Sequence, residues 1–367
     1  MKMKIGVLSA GGDCPGINST IHWMVYSALN KDLVSRRGVM FEIMGIVDGW
    51  KGLMEVQPDK KESLKHWTMP LNSEVVRTWD RYGGTRLGTT RVNPFDPQDD
   101  QSDRVVQNFE KLGLEALVVI GGFDALGVAY KFFRKGMRVV GIPKTIDKDI
   151  SETDYTLGFD SAVNIITEDI DRLRITAGSH SRIFVVESMG RMAGWLALEG
   201  GEASGAAITL IPEHDFVIDR VAELLEMRRK AGERYSIVLV SEGAKPRGME
   251  EVRERRGRDG FGHYYLGGIG GFLAEEVQNK TGMEVRYVAL RHLQRGGAPT
   301  AYDRRMGRKF GIASIDMIVN EDFGRMASMK LGDMHTVPFK KALERRNLVD
   351  VERFYDTKDY KSRDQIL

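Results

Sequence analysis

Short apolar runs, each stopped by glycine or charge, recur along the chain and set the reading of its fold. Ile5 to Ser9 is the first; Gly11-Gly12-Asp13-Cys14-Pro15-Gly16-Ile17-Asn18 follows, then a helical pattern to about Asn30. Met40 to Val47, Ala116 to Ile120 and the run Arg138-Val-Val-Gly-Ile-Pro143 repeat the theme, with amphipathic helices predicted over Ser102 to Leu112 and Ala125 to Lys135. Runs of this length, bounded by turn residues and alternating with helical periodicity, predict buried parallel strands in an α/β arrangement. After Phe159 a long helix runs to about Ala177, and a second set begins. It has strands at Ile183 to Glu187, Ala207 to Ile211, Ser236 to Val240 and Val285 to Ala289. Its helices follow Gly190-Arg191, cover Ile218 to Ala231, open at Gly267-Gly268-Ile269-Gly270-Gly271, and start again near Asp303. The charged stretch Met249 to Asp259 reads as a solvated loop or helix face. The segment after Leu348 reads as a charged, frayed tail.

Length changes the picture first: 367 residues exceed one ordinary core, so two domains are expected, changing over near Asp154 to Phe159. Charge then narrows the partners. The 54 basic and 52 acidic residues nearly cancel, which argues against nucleic acid or an anionic membrane surface. The single cysteine, Cys14, leaves no internal disulfide and fits a reducing compartment. The opening Met1-Lys-Met-Lys-Ile-Gly-Val-Leu8 lacks the form of a signal peptide, and no apolar run has the length of a membrane span. A soluble, cytoplasmic protein is expected.

Candidate chemistry gathers where the predicted strands end, because sites in parallel sheets lie at the strands' carboxyl ends. The Ala116 run ends in Gly121-Gly122-Phe123-Asp124, and the next ends in Lys144-Thr145-Ile146-Asp147-Lys148-Asp149. Lysines for phosphate, one carboxylate for a proton and another for a metal make up a phosphoryl-transfer centre. The Gly11-Gly12 turn, between strand and helix, is a place where backbone amides receive phosphate. Tyr82-Gly-Gly-Thr-Arg-Leu-Gly-Thr-Thr-Arg91, with two arginines, is a second anion-contact candidate. Taken alone, Asp147 and Asp149 are better read as turn or cap residues, and Gly11-Gly12 is a plain strand-to-helix turn whose geometry also exposes amides. Gly268-Ile-Gly270 has no lysine in P-loop spacing and reads as a close-packed helix start. His180, His214 and His263 lack metal-ligand partners at useful spacing, and Cys14 lacks a supporting base, so all four read as structural.

Four motifs in one order and spacing decide between these readings. Gly11-Gly12-Asp13-Cys14-Pro15-Gly16-Ile17-Asn18, Pro143-Lys-Thr-Ile-Asp-Lys-Asp149, Met189-Gly190-Arg191 and His292-Leu-Gln-Arg295-Gly-Gly resemble the phosphofructokinase family, from about Lys4 to about Leu348. Leu87-Gly-Thr-Thr-Arg-Val-Asn-Pro-Phe95, Phe261-Gly-His and Pro299-Thr-Ala-Tyr-Asp303 are most similar to its pyrophosphate-type and actinobacterial-type branch. The resemblance implies two similar three-layer αβα domains with mostly parallel sheets and an active site in the cleft between them. Residues 1–158, with roughly 296–345, would bind the donor phosphate, 159–295 the sugar phosphate, and 349–367 form a tail. The implied reaction is magnesium-dependent transfer of a phosphoryl group from pyrophosphate to the 1-hydroxyl of fructose 6-phosphate. ATP is the alternative donor, and a catalytically impaired sugar-phosphate-binding subunit the alternative of another class.

By position, the resemblance makes Asp147 the general base, with Lys144 and Arg191 beside the transferred group and Asp149 on the magnesium side. Thr145, Met189, Gly190, Arg191 and Glu242 would contact the sugar. Arg182, Arg286, His292 and Arg295 would grip its 6-phosphate, with Arg182 and Arg286 contributed by a neighbouring subunit of a homodimer or homotetramer. Gly12, Arg91, Gly122 and Asp124 would contact the donor. Asp124 and Lys144 are the pair found in pyrophosphate users, since a carboxylate at 124 crowds the α-phosphate of ATP. Four positions depart from the family pattern: Phe123 for an acidic metal ligand, Ala125 for a hydroxyl residue, Lys148 for asparagine and Arg291 for glycine. His22 and Tyr26 stand where allosteric relatives carry effector-binding arginines, which implies weak nucleotide control.

Overall fold

The computed structural model describes residues 2–30, 38–258, 260–262 and 264–363. Its chain divides into two compact units. The first comprises Met1–Thr145, Ile150–Asp160 and Arg295–Arg346, the second Ile146–Asp149, Ser161–Gln294 and Asn347–Leu367. Each is a sheet with helices.

In the first unit the described residues form a seven-stranded sheet. In spatial order its strands are Asp333–Pro338, Arg325–Lys330, Val139–Pro143, Ala116–Gly121, Lys2–Ala10, Met40–Ile46 and Thr68–Leu71. The five inner strands are parallel and the two edges antiparallel. Ala116–Gly121 and Val139–Pro143 are buried throughout, as parallel strands covered on both faces must be. Register fixes the position of the chemistry: Ala10 pairs with Gly121, and Gly121 with Pro143. Three strands therefore end level, and Gly11-Gly12, Gly122-Phe123 and Lys144-Thr145 emerge side by side.

The second unit holds four parallel strands in the order Val285–Ala289, Ile183–Ser188, Ser236–Ser241 and Ile208–Leu210. Here too the ends are level, with Ser241 opposite Ser188 and Ala289 opposite Glu187. Met189-Gly190 and Glu242 thus start from adjacent strand ends. Predicted strands and helices recur within a few residues of their expected places.

Two expectations are corrected, and one inner strand goes beyond the sequence reading. Arg325–Lys330 is a strand although Arg-Met-Ala-Ser-Met-Lys has no β-branched residue; it is held by pairing with Val140 and Gly141 on one side and Asp333–Pro338 on the other. The charged stretch read as a loop or helix face contains the strand Arg253–Arg258, whose backbone pairs with Tyr264–Leu266. The segment after Leu348 is not frayed over its described part. Tyr355 and Tyr360 are buried, the Tyr355 hydroxyl donates to Thr209 O at 2.6 Å, and Val349 N–H donates to the Glu213 carboxylate at 2.8 Å. His263 lies outside the described residues. No helix among those described is long and apolar enough to cross a membrane.

Close packing at an inner strand, Val139–Pro143, gives a direct test. A Cβ on Gly141 would lie 2.4 Å from the Phe339 ring and 3.0 Å from Leu126, both fully buried. Gly141→Val should therefore lower stability by about 3 kcal/mol through overpacking, read from the chemical denaturation midpoint; an unchanged midpoint would refute this packing.

Candidate active site

Two glycine-rich loops of the first unit are stitched into one surface. Asn18 does most of it: its amide nitrogen donates to Tyr82 O and Gly83 O at 3.0 Å each, and its carbonyl accepts from Arg86 N–H at 2.8 Å. Gly11 N–H donates to Thr90 O at 3.0 Å, and the Thr89 hydroxyl returns a bond to Gly11 O at 2.9 Å. Arg91 follows directly on this seam and is half-buried. Sequence reading identified both loops but not their joint, since nothing in the spacing of Asn18 and Gly83 shows that they meet.

Two cations lie on the Gly11-Gly12 turn. Lys144 is only 2% exposed, and its ammonium donates to Ala10 O at 3.2 Å and to Gly12 O. Arg295 donates to Asp13 O at 2.9 Å, and a Cβ on Gly12 would meet its guanidinium at 2.7 Å. Only glycine leaves room there. Arg295, expected in the 6-phosphate cluster, thus makes its described contacts on the expected donor loop. Lys144 N–H donates to Gly121 O at 2.9 Å, which locks the second and third strand ends together. Gly122 precedes the helix Phe123–Arg134, with Asp124 in its first turn. The Phe123 ring, which cannot bind a hard cation, carries the Arg346 guanidinium 4.3 Å from its centroid, and Arg346 is 3.5 Å from the Asp124 carboxylate. Ala125 is buried, and a Cβ on Gly121 would stand 2.7 Å from its methyl group, so the turn requires glycine at 121.

Cys14 is fully buried, its thiol donating to Leu157 O at 3.3 Å, and burial pushes its pKa far above the usual range. Such a thiol is no nucleophile. His22 is likewise buried, hydrogen-bonded to Val76 O at 2.8 Å and stacked on Tyr26.

In the second unit Asp147 and Asp149 are both 7% exposed, on a loop held from the far end of the sequence. Asn347 N–H donates to Asp149 O at 3.0 Å and its side chain to Lys148 O at 2.8 Å, while Trp195 Nε1–H donates to Asn347 O at 3.0 Å. Lys148 turns through positive φ, 54°, and its ammonium meets Glu199 at 2.6 Å over the Trp195 ring. Arg291 also has positive φ, 43°. Both departures from the family pattern thus occupy left-handed backbone, where asparagine and glycine cost least.

Glu242 follows the Ser236–Ser241 strand. Burial, and next the charge of Asp147, raise its pKa to about 7, while Arg191 N–H opposes them by donating to its carboxylate at 3.3 Å. The backbone here is tight: Gly190 has φ 137°, Arg191 φ 50°, and a Cβ on Gly243 would fall 1.8 Å from Arg191 O. Gly243, which sequence reading passed over, is thus the residue that lets Arg191 approach Glu242. Met189 N–H donates to the Gln294 amide oxygen at 3.2 Å, tying this motif to the turn Arg291–Arg295 that bears His292. Arg182 and Arg286 both pair with Glu284, at 2.7 and 2.5 Å. Gly268-Ile-Gly270 is a close-packed helix start as expected: the amides of Gly268 and Gly270 donate to the buried Glu187 carboxylate, as does the Tyr287 hydroxyl. His214 lies between Tyr355 and Tyr360, and burial lowers its pKa.

No cluster of three or more His, Cys, Asp or Glu among the described residues is arranged to cage a metal. Magnesium needs none, since it is commonly bound by one or two carboxylates, water and substrate phosphates.

Comparison with known proteins fits this arrangement. The family described as Phosphofructokinase matches residues 4–318. The chain is 43% identical over 353 residues to the pyrophosphate–fructose 6-phosphate 1-phosphotransferase of Streptomyces coelicolor, covering 95% of this chain and 96% of that protein. It is 41% identical over 355 residues to an ATP-dependent 6-phosphofructokinase of Chloroflexus aurantiacus, covering 95% and 93%. Among solved structures, phosphofructokinase from Saccharomyces cerevisiae superposes with a TM-score of 0.78 at 26% identity; 93% of this chain is covered, and the match spans 45% of the longer yeast chain. Matched by the family model over most of its length and by relatives covering 95% of it, this chain belongs to the phosphofructokinase family.

Proposed function

We propose that the protein transfers a phosphoryl group from pyrophosphate to the 1-hydroxyl of fructose 6-phosphate, giving fructose 1,6-bisphosphate in glycolysis. The observation that carries this reading is the placing of Lys144 and Arg295 on the Gly12 turn, beside the amides of Gly122 and Phe123. Anionic phosphate is the ligand such a surface suits. Gly12, Arg91, Gly122 and Asp124 line the donor side. Asp147 accepts the proton of the 1-hydroxyl as its oxygen attacks. Thr145, Met189, Gly190 and Arg191 position the sugar, and Glu242 holds its hydroxyls. Arg182, Arg286 and His292 take the 6-phosphate, with the two arginines reaching in from a neighbouring subunit of a homodimer or homotetramer. Asp149, with phosphate oxygens, would hold magnesium, which supplies charge neutralisation to the donor when bound. A cytoplasmic setting fits this metabolism.

The similarity to an ATP-dependent relative supports ATP as a second candidate donor. The test is purified protein with fructose 6-phosphate and magnesium, given either donor, with the bisphosphate measured. Pyrophosphate should exceed ATP in kcat/KM by at least about tenfold, because Asp124 repels the α-phosphate of ATP (like charges, ~1.4 kcal/mol or more). The reverse preference overturns the donor assignment. No product from either, with sugar phosphate still bound, leaves only the non-catalytic reading.

Asp147→Asn should lower kcat by about a hundredfold or more while KM for fructose 6-phosphate moves only a few-fold, as loss of a general base predicts. An unchanged kcat assigns the proton to another group.

Glu242 sets a pH dependence with a defined sign. Its folded pKa, about 7, lies above its ordinary 4.5, so the folded chain binds a proton that the unfolded chain has released. Its contribution to stability is complete below pH 4.5 and is lost as the pH rises towards 7. Relative to wild type, Glu242→Gln should therefore become progressively more stable between those values and level off above, read from denaturation midpoints. A constant difference would contradict a carboxyl raised by burial and by the charge of Asp147.

A further inference from the structure

Arg346 lies outside every motif that marks the family, yet it contacts three residues of the first unit. Its backbone forms an antiparallel bridge with Ile150, the residue directly after Asp149. Its guanidinium lies 4.3 Å above the centroid of Phe123, the first residue of the helix Phe123–Arg134, and 3.5 Å from Asp124 beside it. The ring and the carboxylate together place the guanidinium at the start of that helix. The side chain is 27% exposed.

Register extends the argument. Because Ala10, Gly121 and Pro143 are level, the Gly122-Phe123-Asp124 turn emerges next to the Gly12 turn that carries Lys144 and Arg295. A diphosphate has two anionic ends. Lys144 and Arg295 serve the Gly12 end; at the neighbouring turn the cation with a defined place is Arg346. A phenyl ring at 123 can bind no metal, but it is a good shelf for a planar cation, and a guanidinium offers several N–H donors to phosphate oxygens.

Resting on the reading above, we propose that Arg346, shelved on Phe123, is a donor-contacting residue that takes phosphate oxygens of pyrophosphate at the start of the Phe123–Arg134 helix. Phe123 is then a positioning residue for that cation, and its departure from the family pattern goes with a different way of holding the donor.

The test uses the full chain and imidodiphosphate, a pyrophosphate analogue with an unreactive bridge, bound in the presence of magnesium and measured by calorimetry. Arg346→Gln should weaken binding by about tenfold or more, Arg346→Lys should recover part of it, and Phe123→Leu should weaken it by about threefold, in line with a charge-assisted hydrogen bond and an exposed cation–π contact. In turnover, KM for pyrophosphate should rise by the same factors while KM for fructose 6-phosphate stays within about twofold. Unchanged analogue binding in either Arg346→Gln or Phe123→Leu, or no analogue binding by wild type, overturns the proposal. So does an equal rise in both KM values. If wild type binds the analogue but turns over neither donor, the proposed function fails while the binding arms still decide the role of Arg346.

Discussion

A lysine that is almost fully buried has to be surrounded by polar atoms, because moving a charge out of water costs several kcal/mol. Lys144 meets that requirement at a defined place: its ammonium turns onto the carbonyls of Ala10 and Gly12, at the end of the first strand. Much of the first unit is arranged so that this is possible. The parallel register levels Ala10, Gly121 and Pro143. Gly12 has no side chain, which admits Arg295. Asn18 holds the second glycine loop against the first. Positive charge gathered at the end of a parallel sheet, beside helix-start amides, suits an anion, and this is the ground on which the surface is proposed to take phosphate.

The second unit solves the opposite problem. Asp147, Asp149, Glu187 and Glu242 place carboxylates in a largely buried setting. Glu187 is satisfied by helix-start amides and a tyrosine hydroxyl, and so serves structure. Burial raises the pKa of Glu242, and the nearby charge of Asp147 adds to the rise against one amide of Arg191. That difference separates a structural carboxylate from one suited to chemistry, since functional sites are where burial and like charge push titrations apart. The loop bearing Asp147 is braced by Asn347 through two backbone carbonyls, which limits how far the carboxylate can stray.

The strands were legible because apolar runs with glycine ends have few other readings, and the site motifs because they sit at those ends. What escaped sequence reading depends on partners distant in the chain. Arg325–Lys330 is a strand by virtue of its neighbours, not its residues. Gly243 matters because Arg191, 52 positions earlier, passes within contact of it, and Arg346 because Phe123 lies beneath it. Arg295 shows the converse. Its motif was plain, but the loop it touches could be learned only from coordinates. The described part of the tail was misjudged because its charges hide two tyrosines that anchor it.

The central claim, that the cation at 144 exists to receive an anionic donor, is best tested by ligand-induced stabilisation. The thermal midpoint of the full chain would be followed with and without pyrophosphate and magnesium, for wild type and Lys144→Met. Binding to the folded state raises the midpoint by mass action, so wild type should shift upward and Lys144→Met should not. Equal shifts in both proteins, or none in wild type, would contradict the account.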